Sequence, residues 1–274
     1  MRNFTAVPLA LTLAASPALA RSQNDAVAYE LAPVVENGSI TALAVTIRLR
    51  GDADGETKID WIDRWADEAR LAQWTRDIQV EGAQSVTEAP NGGRIIRAAP
   101  RAPLTMRYRI VSGHAADPTV LDSRQAIPVV RPGWFYAVGE VLYALPDGRT
   151  GAPASFRWSG PANIGFASDT QHARGLGGRP RTVGDISESI AIGGPGLSVR
   201  QVMVDGAPLR IARIGRFEFD GEAFDRTAIA ILEAERHFWR DRSQSPFLIT
   251  SIPLTPAPNR MSYSGTGRSD AFAT

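Results

Sequence analysis

Residues 217–253, FEFDGEAFDRTAIAILEAERHFWRDRSQSPFLITSIP, decide the fold. Asp220 is a candidate N-cap with Glu222 in the first turn, while Arg236, His237, Arg240 and Arg242 gather at the opposite end. That charge order matches a helix dipole and predicts one long helix over 221–240. Phe224, Ala228, Leu232 and Phe238 recur near helical spacing, so they are expected to share a buried face. Residues 246–253, PFLITSIP, form an apolar run closed by prolines at both ends, the length of one buried strand. Turn residues come next in 262–268, SYSGTGR, and 270–273, DAFA, open a further element. A helix, a strand and a loop are by themselves scaffold, and function has to be sought in what surrounds them.

At the other end of the chain, Arg2 precedes an apolar run over 4–15 that is too short to span a bilayer. Ala18, Leu19 and Ala20 then supply a small-x-small cleavage pattern, so 1–20 reads as a secretory signal peptide. The mature protein is expected in the periplasm or outside the cell, with no membrane span once the signal is removed. N-terminal sequencing of exported protein is expected to begin at Arg21, and a mature chain that still starts at Met1 would overturn this reading. The sequence has no cysteine, hence neither a disulfide framework nor a lipid-modified cysteine. The formal charge of +1 argues against a general nucleic-acid partner. Lys58 is the only lysine beside 29 arginines, a bias of composition rather than a phosphate-binding signal.

Between these ends the chain is written in strands. Val27, Tyr29 and Leu31 alternate, Asn37-Gly38 turns the chain, and residues 40–49 alternate again, which is a hairpin signature. Trp61, Trp65, Ala69 and Ala72 share a helical face, which predicts a short helix over 60–73. Its tryptophans, with Trp74, could form a ligand platform, although aromatic residues at this spacing usually pack in a core. Strands are expected at 77–80, 94–98 and 104–111, through 128–147, and at 154–159 and 163–167. A glycine-rich stretch within 170–181 marks a division, and strands at 187–192, 198–204 and 209–214 lead into the long helix. Short strands separated by Gly, Pro and Asn turns, with no alternation of strand and helix before residue 220, indicate a mainly β protein. The expected domains are an N-terminal antiparallel β-sandwich over 21–170 and a strand-rich second unit over 171–274.

Reactive groups are sparse. His114, His172 and His237 stand alone, and none begins the His-Glu-x-x-His pattern with which zinc hydrolases hold the ion beside a base. The absence of cysteine excludes thiol catalysis, and no Gly-x-Ser-x-Gly elbow marks a serine nucleophile. Gly265-Thr266-Gly267 and Gly193-Gly194-Pro195-Gly196 lack the spacing and the lysine of a phosphate loop.

Taken together, residues 104–111 (LTMRYRIV), 132–136 (PGWFY), 138–146 (VGEVLYALP), 156–161 (FRWSGP), 206–219 (GAPLRIARIGRFEF), 224–239 and 262–273 (SYSGTGRSDAFA) resemble the glycyl aminopeptidase family. These are exported zinc metallopeptidases of the thermolysin-like type, often carrying a C-terminal PDZ domain. The resemblance implies that 171–274 is the start of an α+β thermolysin-like catalytic lobe, made of strands, one long helix and a strand. It implies too that the zinc-binding helix and a later glutamate ligand would lie beyond Thr274. No catalytic or metal-binding residue carries over onto these 274 positions. Zinc is expected as the cofactor of the full-length family and none in this chain. A peptide substrate is expected only where the catalytic part is present. Ser264, Gly265, Thr266 and Gly267 carry over as a wall along which substrate would pass, although this loop holds Arg268 and no glutamate to meet a substrate's amino terminus.

Three readings stand at this point: the N-terminal portion of such a peptidase, inactive alone; a free-standing exported binding protein; or an assembly module for a separate peptidase chain. On the first, Phe224, Leu232, Phe238, Phe247 and Ile249 are expected to line a surface left open by missing structure.

Overall fold

A computed structural model describes residues 26–66, 68–89, 92–119, 125–171, 181–243, 245–255, 265–268 and 270–274. The signal segment 1–20, His172, Ser264 and most of the glycine-rich stretch at 170–181 lie outside the described residues.

The first hairpin joins Val27–Glu36 to Ser39–Arg50. Asn37 and Gly38 both take positive φ, 51° and 78°, so the turn matches the right-handed twist of the strands it connects. Pro103–Ile110 and then Thr75–Glu81 extend the sheet on one side, and Ala154–Trp158 closes the other. That last pairing is parallel, Val27 opposite Ala154, so this sheet is not wholly antiparallel as expected. A second sheet runs Leu145–Pro146, Glu56–Asp60, Arg94–Arg97, Ser85–Glu88, and a third runs Val129–Arg131, Trp134–Val138, Ile190–Gly194, Gly165–Ser168. All three line one apolar core. Ile190–Gly194 lies beyond residue 170 yet pairs with Trp134–Val138 and Gly165–Ser168, so the division at 170/171 is not a break between sheets.

Two local expectations are corrected. The described residues of 60–73 form no α-helix: Glu56–Asp60 is held in the second sheet, Arg64–Trp65 and Glu68–Ala69 make a minimal hairpin, and Leu71–Trp74 is a single 3-10 turn. Ala66 and Arg70 take left-handed conformations, φ 51° and 56°, which interrupt any right-handed helix. Trp61 and Trp74 are core residues, as their type suggests. Within 138–146 the strand stops at Val138, and Gly139–Leu142 turns into a short helix. A Cβ on Gly139 would collide with the carbonyl oxygens of Ile186 and Ser187, so only glycine permits this approach. Three buried tyrosines hold the end of this short helix in place. Tyr108 Oη donates to the Leu142 carbonyl at 2.7 Å and accepts from Ala144 N–H at 2.9 Å. Tyr29 Oη donates to the Ala144 carbonyl at 3.2 Å, and the Tyr143 ring meets Tyr29 edge-on at 5.4 Å.

The fourth sheet is mixed, in the order Ser198–Val204, Ala207–Arg213, Phe247–Ser251, Ala271–Ala273, Thr266–Gly267. Ala207–Arg213, Phe247–Ser251 and Ala271–Ala273 run parallel, and the helix Gly221–Trp239 makes the crossover between the first two. Parallel strands bury both faces. Ala212, Ile214, Leu248, Ala271 and Ala273 join the large core, while Val204, Leu209, Ile211 and Ile249 meet the helix through Ala228. Asp220 caps the helix as expected, its carboxylate accepting from Glu222 N–H at 2.9 Å.

Three of the four residues expected on the buried face of the helix lie on it, and Phe238 does not. Phe224 and Leu232 pack against the sheet, but Phe238 is 75% exposed beside Trp239 at 72%. At 3.6 residues per turn, Asp225, Leu232 and Arg236 align and Phe238 falls roughly 140° away from them. Nor is Ile249 on an open surface, at 8% exposure, and Phe247 is half-buried. Among the described residues no helix is long and apolar enough to cross a membrane.

Candidate functional site

Thr266–Gly267 forms the outer strand of the mixed sheet among the described residues. It pairs antiparallel with Ala271–Ala273, Thr266 opposite Ala273 and Gly267 opposite Phe272. The turn is closed by Arg268 N–H donating to the Ala271 carbonyl at 2.7 Å. Ala271 and Ala273 point into the core while Phe272 faces out and covers Gly265, where a Cβ would strike the ring. Gly265 and Gly267 are exposed and Thr266 is half-buried, so three of the four residues expected to line a wall sit together on one sheet edge. Ser264 lies outside the described residues.

Arg268 itself finds an acidic partner 128 positions earlier in the chain. Arg268 turns inward to form an ion pair with Glu140 of the Gly139–Leu142 helix, and its guanidinium carbon stands 4.0 Å from the Trp65 ring centre. Both side chains are buried, Arg268 at 7% exposure and Glu140 at 4%. Burial pushes the Glu140 carboxyl up to about 7, helped by nearby Glu188 and opposed by the Arg268 guanidinium. Glu140 escaped the sequence reading. Its one signal is a lone acid inside the apolar run VGEVLYAL.

A second polar knot joins the mixed sheet to the first sheets. Arg210, on Ala207–Arg213, donates to the Ser168 carbonyl at 2.6 Å and to Gln171 Oε1 at 3.1 Å. Asp169 is buried and accepts from Ile190 N–H at 2.9 Å. Its carboxyl is raised to about 6 by burial, with the Ile190 bond and Arg181 pulling the other way. Arg181 donates to the Asp169 carbonyl and pairs with Asp270 at 3.2 Å. Burial lowers the Arg210 pKa.

Among the described residues no group of three or more His, Asp or Glu side chains is placed to hold a metal ion. His237 is exposed on the long helix, and His114 lies in the loop beside Arg131, which donates to its carbonyl at 3.1 Å. These residues do not fit a zinc centre. A shallow cleft of about 380 Å³ between Gly51 and Ala152 is crossed by the Arg149–Asp52 ion pair and gathers no catalytic constellation.

The architecture, three sheets on one core followed by a mixed sheet backed by one helix, has counterparts among solved structures. An aminopeptidase N family protein from Idiomarina loihiensis superposes with a TM-score of 0.68 at 14% identity, covering 90% of this chain and 41% of its own. The chain has the fold of these metallopeptidases. The M1 zinc metallopeptidase from Deinococcus radiodurans aligns over the same 90% at a TM-score of 0.51 and 15% identity, and so does a variant of it bound to a Tyr-Ser-Ala substrate. Each alignment covers 59% of the Deinococcus chain. The present chain thus spans less than two thirds of each of these proteins. No family model matches the sequence. No curated protein matches it either.

Proposed function

We propose that the chain is the N-terminal portion of a zinc aminopeptidase of the glycyl-aminopeptidase kind, supplying the wall of a peptide site. The observation that carries this reading is the alignment of 90% of the chain with one part of M1 zinc metallopeptidases, one of them bound to a tripeptide. The outer strand Thr266–Gly267 fits the role. An outer strand has backbone donors and acceptors available to an extended peptide, and at Gly267 a Cβ would meet only open space. Zinc would polarise the scissile carbonyl and activate water in the full-length family, and the described residues of this chain offer no ligand set for it.

The chain of 274 residues is therefore expected to retain no stoichiometric zinc after dialysis and to hydrolyse no peptide. The coding sequence beyond codon 274 is expected to continue into a His-Glu-x-x-His segment. Metal analysis, an aminopeptidase assay and reading the downstream DNA check this together. One chelator-sensitive zinc per chain with peptidase activity would overturn the assignment, and a stop codon directly after Thr274 would favour an exported binding or assembly module.

A further inference from the structure

We infer that Arg268 is a positioning residue: clasped between Glu140 and Trp65, it locks the outer strand Thr266–Gly267 in one register against the body of the protein. Three observations converge. The turn after the outer strand is tied to the first sheets on both flanks, by Arg268 to Glu140 and by Asp270 to Arg181. The two anchors come from separate places, the Gly139–Leu142 helix and the segment just before the Val183–Ser187 helix. Arg268 also makes two contacts at once, an ion pair with the Glu140 carboxylate and a stack on an indole 4.0 Å away.

The burial of this pair makes it a device for position rather than for stability. The Arg268 side chain is almost fully buried and its Nε finds no partner among the described residues. A buried ion pair seldom repays the desolvation of both charges, but removing one member strands the other. Such a pair therefore acts through geometry: any displacement that breaks it leaves a buried carboxyl without its partner. Side chains alternate along a strand, so a slip of one residue would turn Arg268 to the side of exposed Phe272 and leave Glu140 unpaired in the core. An apolar residue at 268 would tolerate such a slip. Among the described residues the strand is held by two residue pairs, a ladder short enough for this restraint to matter. Gly139, which admits no other side chain, and the tyrosine bonds to residues 142 and 144 in turn fix where Glu140 stands. The importance of the restraint for a substrate rests on the reading of this strand as a peptide wall; the restraint itself does not.

Hydrogen exchange on the full chain tests it, with the 27–50 hairpin as internal reference. Arg268→Met is expected to speed exchange across 265–273 by on the order of tenfold or more, since Glu140 is left unpaired, while the hairpin is unchanged. Arg268→Lys keeps the charge but loses the planar fork and the stacking, and is expected to fall between. The double variant Glu140→Met with Arg268→Met removes both charges and is expected to recover most of the protection. The indole resonance of Trp65, assigned by Trp65→Phe, is expected to move in Arg268→Met and to stay in place in Arg48→Met, a surface control. Unchanged exchange in Arg268→Met, or an unmoved Trp65 signal, would overturn the inference. So would a double variant no better protected than the single one. Confirmation here alongside a failed peptidase reading would leave the restraint standing and remove only its link to substrate.

Discussion

Asp225→Ala is expected to lower the stability of the chain by about 3 kcal/mol, the scale for breaking a buried ion pair, and to release the long helix before the rest of the protein. The carboxylate is 2% exposed and accepts from Arg200 at 2.8 Å and from Arg213, whose guanidinium also stands 5.9 Å from the Phe224 ring centre. The apolar seam between helix and sheet is small: Ala228 is buried, with Phe224, Ile229 and Leu232 only half-covered. Two charged residues hold what this seam cannot. Asp225 fastens the first turns, and Arg236 fastens the last, donating to the Val204 carbonyl at 2.6 Å and the Ser245 carbonyl at 2.9 Å. Removing Asp225 leaves Arg213 beside Phe224 with only the Gly221 carbonyl, at 3.4 Å, as its partner. Because Arg200 is half-exposed and regains water, the loss stays near the lower end for buried pairs. For a domain of this size the melting temperature should fall by roughly 6–12 °C, with exchange over 221–239 rising ahead of 27–50. A fall of less than about 2 °C would mean that the apolar seam holds the helix unaided.

The long helix marks the line between what could be read from the sequence and what could not. The helix itself, its Asp220 cap and the strand after it were legible because capping and prolines act locally. One member of its buried face was misassigned, because apolar spacing picks out Phe238 beside Phe224, Ala228 and Leu232, whereas the buried row also includes Asp225 and Arg236, which bury charge by pairing with distant groups. Residues 60–73 failed for a related reason. Their helical periodicity is genuine, but partners in 94–97 capture the preceding strand and left-handed Ala66 and Arg70 break the remainder. Residues 262–268 read as a turn, and the short strand Thr266–Gly267 was not legible because its partner lies across that same turn. Nor was its restraint, because Arg268 and Glu140 stand 128 residues apart and nothing in either local pattern points to the other.

Asp169→Asn is expected to change the pH dependence of stability, gaining about 3 kcal/mol over wild type between pH 3 and pH 8, which is the shift from 3.8 to about 6 at 1.36 kcal/mol per unit. The sign comes from proton binding. A carboxyl whose pKa is higher folded than unfolded holds its proton longer in the native state. Its contribution is complete below 3.8 and is lost as the pH rises through about 6. Asparagine keeps the oxygen that accepts from Ile190 N–H and never ionises, so it should match the protonated acid at pH 3 and surpass the ionised one at pH 8. Glu140 titrates nearby, at about 7, so the quantity to read is the difference between variant and wild type across the series. Asp169→Ala provides the contrast: it strands the Ile190 N–H and should be destabilised at every pH, by roughly 1–3 kcal/mol relative to Asp169→Asn. Denaturant unfolding from pH 3 to pH 8 decides the matter. If Asp169→Asn is instead the less stable protein at pH 8, the positive charges of Arg181 and Arg210 outweigh burial, and the knot joining the two halves of the molecule is held by an ionised aspartate.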